Sequence, residues 1–176
     1  MIYSEGVSGD LPNDPSMPTP RILSVGMHTI SGSVGSGDTQ DWINLTIPAG
    51  MQLVWIILES YDSSDARAFL GVQAGDFFVG GDQTASSYLG YTHFGPSVLG
   101  ADLLARMGDP NAAFGSQGFD PPLNPGSYTF LIQQFGDETN FQFTLNVIAV
   151  PGPATAVLAA CSAAACLRRR RALENV

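Results

Sequence analysis

The residues best placed to do chemistry are acidic, and they occur as two spaced pairs. Asp38 and Asp41 stand at the start of a predicted strand, and Asp62 and Asp65 follow another strand. Loop carboxylates and carbonyl oxygens are the ligands that Ca²⁺ prefers. Neither pair has the spacing of an EF-hand loop, so solvated turn aspartates are the simpler interpretation. We expect no resident metal or cofactor, and these four aspartates are the candidate ligands if calcium binds.

The residue types that catalysis requires are scarce. His28 and His93 are far apart in the chain, and neither has a Cys, Asp or Glu at metal-ligand spacing. The sequence contains neither a Gly-x-Ser-x-Gly nucleophile elbow nor a His-Glu-x-x-His zinc helix. No predicted helix follows the glycines between Gly32 and Gly37, so they indicate turns and not a phosphate site. We predict a protein that is not an enzyme.

Aromatic side chains offer a different chemistry, because exposed rings stack on the apolar faces of sugars. Core packing is the competing interpretation for any of them that lies in a strand. Polysaccharide binding therefore stays an alternative function. The candidate residues are Trp42, Tyr61, Tyr88, Tyr91 and Phe94.

The charge balance excludes one class of partner. Sixteen acidic residues oppose seven arginines and no lysine, which gives a net charge of −9. Nucleic-acid binding needs Lys and Arg to neutralise phosphates, so no nucleic-acid partner is expected. The same balance suits an exported protein that stays soluble.

Period-2 alternation predicts the elements that position these residues. Residues 41–47 place Ile43, Leu45 and Ile47 on one face, and residues 51–60 are apolar on both faces, as in a strand covered on both sides at the centre of a sandwich. Residues 127–135 and 140–150 flank the turn 136–138 and predict an antiparallel hairpin. We predict an extended surface lead-in over residues 1–20. An antiparallel, jelly-roll-like β-sandwich of about seven to nine strands follows over residues 21–149.

The C-terminal segment, residues 150–176, has the layout of a membrane sorting signal. A Pro/Gly box precedes an apolar run over residues 156–167, and four arginines follow. This order predicts a short hydrophobic helix with its basic end in the cytoplasm and residues 1–149 outside. A helix over residues 154–167 is about 21 Å long, against about 30 Å of bilayer core, so we expect a transient anchor. The motif residues are Val150, Pro151, Gly152, Pro153, Arg168, Arg169, Arg170 and Arg171.

This segment resembles the PEP-CTERM sorting signals of bacteria. Val150, Pro151 and Pro153 match the Val-Pro-Glu-Pro-like box, while Gly152 replaces its usual Glu. The resemblance implies processing by an exosortase, delivery to the cell surface or extracellular matrix, and exopolysaccharide as a neighbour. Residues 1–20 lack the basic and apolar regions of a secretory signal, so we expect a leader upstream of Met1 or its earlier removal.

The body of the chain resembles the bacterial pre-peptidase C-terminal (PPC) type of β-sandwich. The resemblance rests on an Asp-aromatic strand start, a Pro-Ala-Gly turn and a Pro-Gly-Ser-Tyr strand start. It implies a β-sandwich. Two alternatives to a non-catalytic surface protein stay open: a calcium- or polysaccharide-binding module using the loops of residues 60–126, or an accessory domain of a secreted enzyme. The matching motifs are Asp38-x-x-Asp41-Trp42, Pro48-Ala49-Gly50 and Pro125-Gly126-Ser127-Tyr128.

Overall fold

Nine strands form two packed sheets in the computed structural model, which describes residues 2–151. The prediction of an all-β chain is confirmed for these residues. Two short helices, α1 (Glu5–Ser8) and α2 (Leu103–Gly108), accompany the strands. The strands are β1 (Tyr3–Ser4), β2 (Thr19–Ile22), β3 (Gly26–Val34), β4 (Gln40–Ile47), β5 (Met51–Asp62), β6 (Ala68–Ala74), β7 (Gly90–Phe94), β8 (Gly126–Gln133) and β9 (Thr139–Ala149).

The first sheet has the strand order β1-β3-β9-β5, and the second has the order β2-β4-β8-β6-β7. Most neighbours are antiparallel, but β1 is parallel to β3 and β2 is parallel to β4. Parallel neighbours need a long crossover connection, and the segments between these strands supply one. The predicted jelly-roll-like, wholly antiparallel arrangement is therefore corrected at one edge of each sheet.

The predicted hairpin near the end of the chain is wrong. Strand β8 pairs with β4 and β6 in the second sheet, whereas β9 pairs with β3 and β5 in the first. The turn after β8 thus crosses between the sheets. Side chains and backbone from other loops hold it: the Ser36 amide donates to the Gly136 carbonyl (2.9 Å), and the Asp137 amide donates to Asp65 Oδ2 (2.7 Å).

Strand β5 lies at the edge of the first sheet, not at its centre. The segment that contains α2 covers β5, and this explains why β5 is apolar on both faces. Leu53 pairs with Leu123, the Gly100 amide donates to the Leu58 carbonyl (2.9 Å), and the Ile56 amide donates to Asp102 Oδ1 (3.1 Å). These contacts protect an edge that would otherwise expose unpaired backbone groups.

The alternation of β4 separates two apolar clusters. Ile43, Leu45 and Ile47 enter the main core between the sheets, as predicted. Trp42 instead packs on the outer face of the second sheet with its register partner Leu131 and with Phe78 from a covering loop. The second sheet is therefore covered on both faces.

The first 20 residues are more than the surface lead-in that the sequence predicted. They supply β1 and the start of β2, and Tyr3 and Leu11 are buried in the main core. The pairing of Tyr3 with Ile30 fixes this segment against the sandwich.

No helix among residues 2–151 is long and apolar enough to cross a membrane. The predicted C-terminal helix and the arginine cluster lie outside the described residues, together with Gly152 and Pro153. Val150 and Pro151 directly follow β9.

Candidate functional site

Four carboxylates from two distant parts of the chain meet at the end of the sandwich core. Glu5 comes from α1, Asp10 from the loop after it, Asp38 from the turn before β4, and Asp41 from β4 itself. Ligand oxygens of Glu5, Asp10 and Asp41 all lie within 4.8 Å of one another. We call these four residues the acidic cluster.

Asp41 is the central member of the acidic cluster. Its side chain is 0% exposed, and neither carboxylate oxygen has a hydrogen-bond partner among residues 2–151. Burial raises the pKa of Asp41 to about 9, and the nearby charges of Glu5, Asp38 and Asp10 add to the increase. A buried carboxylate without partners is costly, so this site favours either a bound proton or a bound cation.

The backbone holds Glu5 in position. Its Oε2 accepts a hydrogen bond from the Ser33 amide (2.7 Å), and its Oε1 accepts one from the Leu11 amide (3.4 Å). A Cβ at Gly32 would stand only 2.4 Å from the Glu5 Cδ, so glycine leaves the space that the carboxylate occupies. Burial raises the pKa of Glu5, although these two hydrogen bonds oppose the increase.

A tight turn presents Asp38. Gly35, Ser36 and Gly37 all have positive φ angles, and the Gly35 amide pairs with the Asp38 carbonyl. Oδ1 of Asp38 is buried without a partner. Burial raises the pKa of this carboxyl, and a hydrogen bond with Asn13 partly opposes it. The glycines thus serve the turn, as the sequence indicated.

The chemistry of the acidic cluster fits a hard cation. Its potential ligands are carboxylate oxygens alone, with no His or Cys in the group found among residues 2–151. Oxygen donors of this kind suit Ca²⁺, whereas Zn²⁺ prefers nitrogen and sulfur. A calcium ion would also remove the electrostatic cost of placing several acidic groups together.

The second predicted aspartate pair does not join the acidic cluster. Asp62 is exposed at the end of β5. Asp65 Oδ2 accepts the Asp137 amide, which fixes the turn between β8 and β9. Asp65 therefore has a structural role in loop connection.

The structure buries most of the aromatic candidates for sugar binding. Trp42 is 0% exposed, and Tyr88 and Tyr91 belong to the same outer cluster. Phe94 lies in the main core, and the half-buried Tyr61 packs edge-on against it at 5.8 Å. Covering loops that the sequence did not place against the sheet account for this burial.

Glu5 and Asp10 were missed by sequence reasoning. Their positions depend on the pairing of β1 with β3, for which the sequence carries no local signal. Asp41 had a readable signal, because it is in phase with the core residues Ile43 and Leu45. An acidic residue at a core-facing position is an anomaly that indicates a special environment.

The two histidines lie in different sheets. His28 is on β3, where its Nε2 is 2.7 Å from the Ser24 carbonyl oxygen. His93 is on β7 in the second sheet. The structure does not bring them together with each other or with the acidic cluster.

Comparison with known proteins gives a distant structural similarity. No protein-family model and no curated protein match the chain. Among solved structures, the chain is similar to the pre-peptidase C-terminal domain of a collagenase from Bacillus anthracis, with 14% identity and a TM-score of 0.39. The alignment covers 78% of this chain and 100% of that domain. The two-sheet architecture itself rests on the strand pairings described above.

Proposed function

We propose that this chain is an exported, non-catalytic β-sandwich module that binds calcium at the acidic cluster. The observation that carries the proposal is the fully buried Asp41 carboxylate, which has no hydrogen-bond partner in the described part of the chain and faces Glu5 and Asp10. Desolvation of a lone carboxylate is unfavourable, and a divalent cation shared with its neighbours compensates for that cost.

Calcium in this position has a structural role. Glu5 and Asp10 belong to the N-terminal segment, whereas Asp38 and Asp41 belong to the sandwich. An ion bound by both parts fixes the first residues against β3, in addition to the pairing of β1. Because the unfolded chain cannot assemble these ligands, the binding free energy becomes free energy of folding.

Calorimetric titration of the full chain with CaCl₂ tests this proposal. A polyoxyethylene detergent keeps the apolar C-terminal run in solution. We expect a dissociation constant of about 1 mM or tighter, as for extracellular calcium modules, and weaker binding of Mg²⁺. Asp41→Asn abolishes the heat, while the matched control Asp62→Asn leaves it unchanged. Absence of heat with wild-type protein would contradict the proposal, as would equal heats for the two variants.

We further propose that residues 150–176 sort the module to the cell surface, with the arginines on the cytoplasmic side and an exosortase as the processing partner. The order of Pro/Gly box, apolar run and arginine cluster supports this. Fractionation of cells that produce the chain behind a secretory leader, with and without residues 150–176, tests it. We expect the full chain at the cell surface and the shortened chain elsewhere, and an unchanged location would contradict the proposal.

A further inference from the structure

The outer face of the second sheet, opposite the face that packs in the main core, is partly covered by loops. A groove of about 540 Å³ opens there between the strands and the covering loops. This volume falls within the roughly 300–1,000 Å³ of small-molecule sites. We call it the aromatic groove and define it by Phe69, Tyr91, Phe114, Phe135, Arg67 and Asp82, which are among its lining residues.

Aromatic rings form both the floor and the mouth of the aromatic groove. Phe69 and Tyr91 pack together with their ring centroids 5.3 Å apart, and they are held in the sheet by the pairing of β6 with β7. Phe114 is fully exposed and Phe135 is 64% exposed, although both are large apolar side chains. The Tyr91 hydroxyl donates to the Phe114 carbonyl, which ties the outer loop to the floor.

Polar groups stand beside these rings in fixed positions. Asp82 Oδ2 accepts hydrogen bonds from the side-chain amides of Gln83 (3.3 Å) and Gln133 (3.4 Å), and also from that of Gln40. Gln134 contacts the Arg67 backbone carbonyl (2.9 Å), and the exposed Arg67 side chain lines the groove. The aromatic groove thus combines ring faces with a carboxylate, amides and a guanidinium.

We infer that the aromatic groove binds a neutral saccharide. Ring faces accept the apolar C–H faces of a sugar, while amides, a carboxylate and a guanidinium pair with its hydroxyl groups. The net charge of −9 and the carboxylate of Asp82 disfavour a polyanion. This inference goes beyond the proposed calcium site, since it uses other residues on the second sheet.

Affinity electrophoresis of the full chain tests the inference. The native gels contain a polyoxyethylene detergent, which has no sugar headgroup, and one polymer each: dextran, laminarin, hydroxyethyl cellulose, galactomannan, polygalacturonate or gelatin. We expect at least one neutral polysaccharide to retard the protein, and neither polygalacturonate nor gelatin to do so. Retardation by none of the neutral polymers, or by the anionic polymer or gelatin alone, would overturn the inference.

Single-residue variants test whether the saccharide binds in the aromatic groove. Phe114→Ala and Phe135→Ala remove exposed rings whose loss does not disturb the core, and each weakens retention by about three- to tenfold. The matched control Phe77→Ala removes a ring that is 57% exposed outside the groove and leaves retention unchanged. An equal loss in the control would overturn the assignment to the groove. Asp41→Asn separates the two sites, because it abolishes calcium binding and leaves saccharide retention intact.

Discussion

Asp41 and Trp42 are neighbours in β4, and both are fully buried, yet they lie in regions where burial has opposite effects. Trp42 faces the outer cluster, where its ring packs 4.9 Å from Phe78 and burial is favourable. Asp41 faces the end of the main core, where burial places a carboxylate without hydrogen-bond partners among other acidic groups of the described chain. A single strand thus stabilises the fold with one side chain and places the next side chain in an acidic environment where only a proton or a cation relieves the cost of burial.

The largest expected effect comes from the outer cluster. Trp42→Ala leaves a cavity beside Phe78 and Leu131 and lowers the free energy of unfolding by about 3–5 kcal/mol. Because the acidic cluster lies on the other face of β4, the increase in stability that calcium causes is retained. Urea unfolding with and without calcium measures both quantities. Loss of the calcium response in this variant would show that the two faces are not separable.

The second largest expected effect is the pH dependence of the free energy of unfolding without calcium. Burial raises the folded-state pKa of Asp41 from the usual 3.8 of an Asp carboxyl to about 9, so the stability that its proton contributes is fully present below about pH 4 and is lost as pH rises through about 9. With calcium removed by a chelator, we expect the free energy of unfolding to fall by about 4 kcal/mol between about pH 5 and about pH 8. The difference between wild type and Asp41→Asn isolates this group, because the variant lacks its titration. Parallel curves for the two proteins would count against a buried, protonated Asp41.

Saturating calcium has an effect of intermediate size. At about 100 times its dissociation constant, the ion adds about 2.7 kcal/mol to the free energy of unfolding, or about 5–10 °C to the melting temperature. Asp41→Asn removes this increase, and Asp62→Asn preserves it. Melting curves in calcium and in chelator provide the measurement, and an increase of the same size in Asp41→Asn would place the ion elsewhere.

The smallest effect concerns the support of Glu5. In Gly32→Ala, the new Cβ displaces the Glu5 carboxylate, which is the end of a flexible side chain, so the fold survives. We expect calcium affinity to fall by about tenfold, at the lower end of the roughly 10- to 100-fold loss that is usual when a group that orients a metal ligand is altered. Gly6→Ala is the matched control, since its Cβ meets open space apart from Ser4 Oγ at 3.9 Å. Calorimetry that gives equal affinities for the two variants would remove Glu5 from the site.

Local patterns in the sequence predicted much of the fold. Alternation placed Ile43, Leu45 and Ile47 in the core, and the glycines after β3 indicated a turn. The assignment of β8 and β9 to different sheets was not predictable in this way, because a short turn carries no information about the partners of the strands it joins.

The candidate site was predictable in part. The position of Asp38 and Asp41 at a strand entrance predicted them as candidate ligands. The phase of Asp41 with the core residues is a further signal in the sequence that this prediction did not use. Glu5 and Asp10 were not predictable, because only the parallel pairing of β1 with β3 brings them to the same place. The burial of Tyr88 and Tyr91 depends on loops whose packing is equally non-local.

Proton release on calcium binding tests the central claim most directly. Calorimetric titration at about pH 8 in two buffers of different ionisation enthalpy gives the number of protons released per calcium ion. Because Asp41 is mostly protonated in the ion-free protein at this pH, the wild-type chain releases about one proton per ion bound, and Asp41→Asn neither binds nor releases. Calcium binding with the same affinity and the same proton release in Asp41→Asn would contradict calcium binding at the acidic cluster.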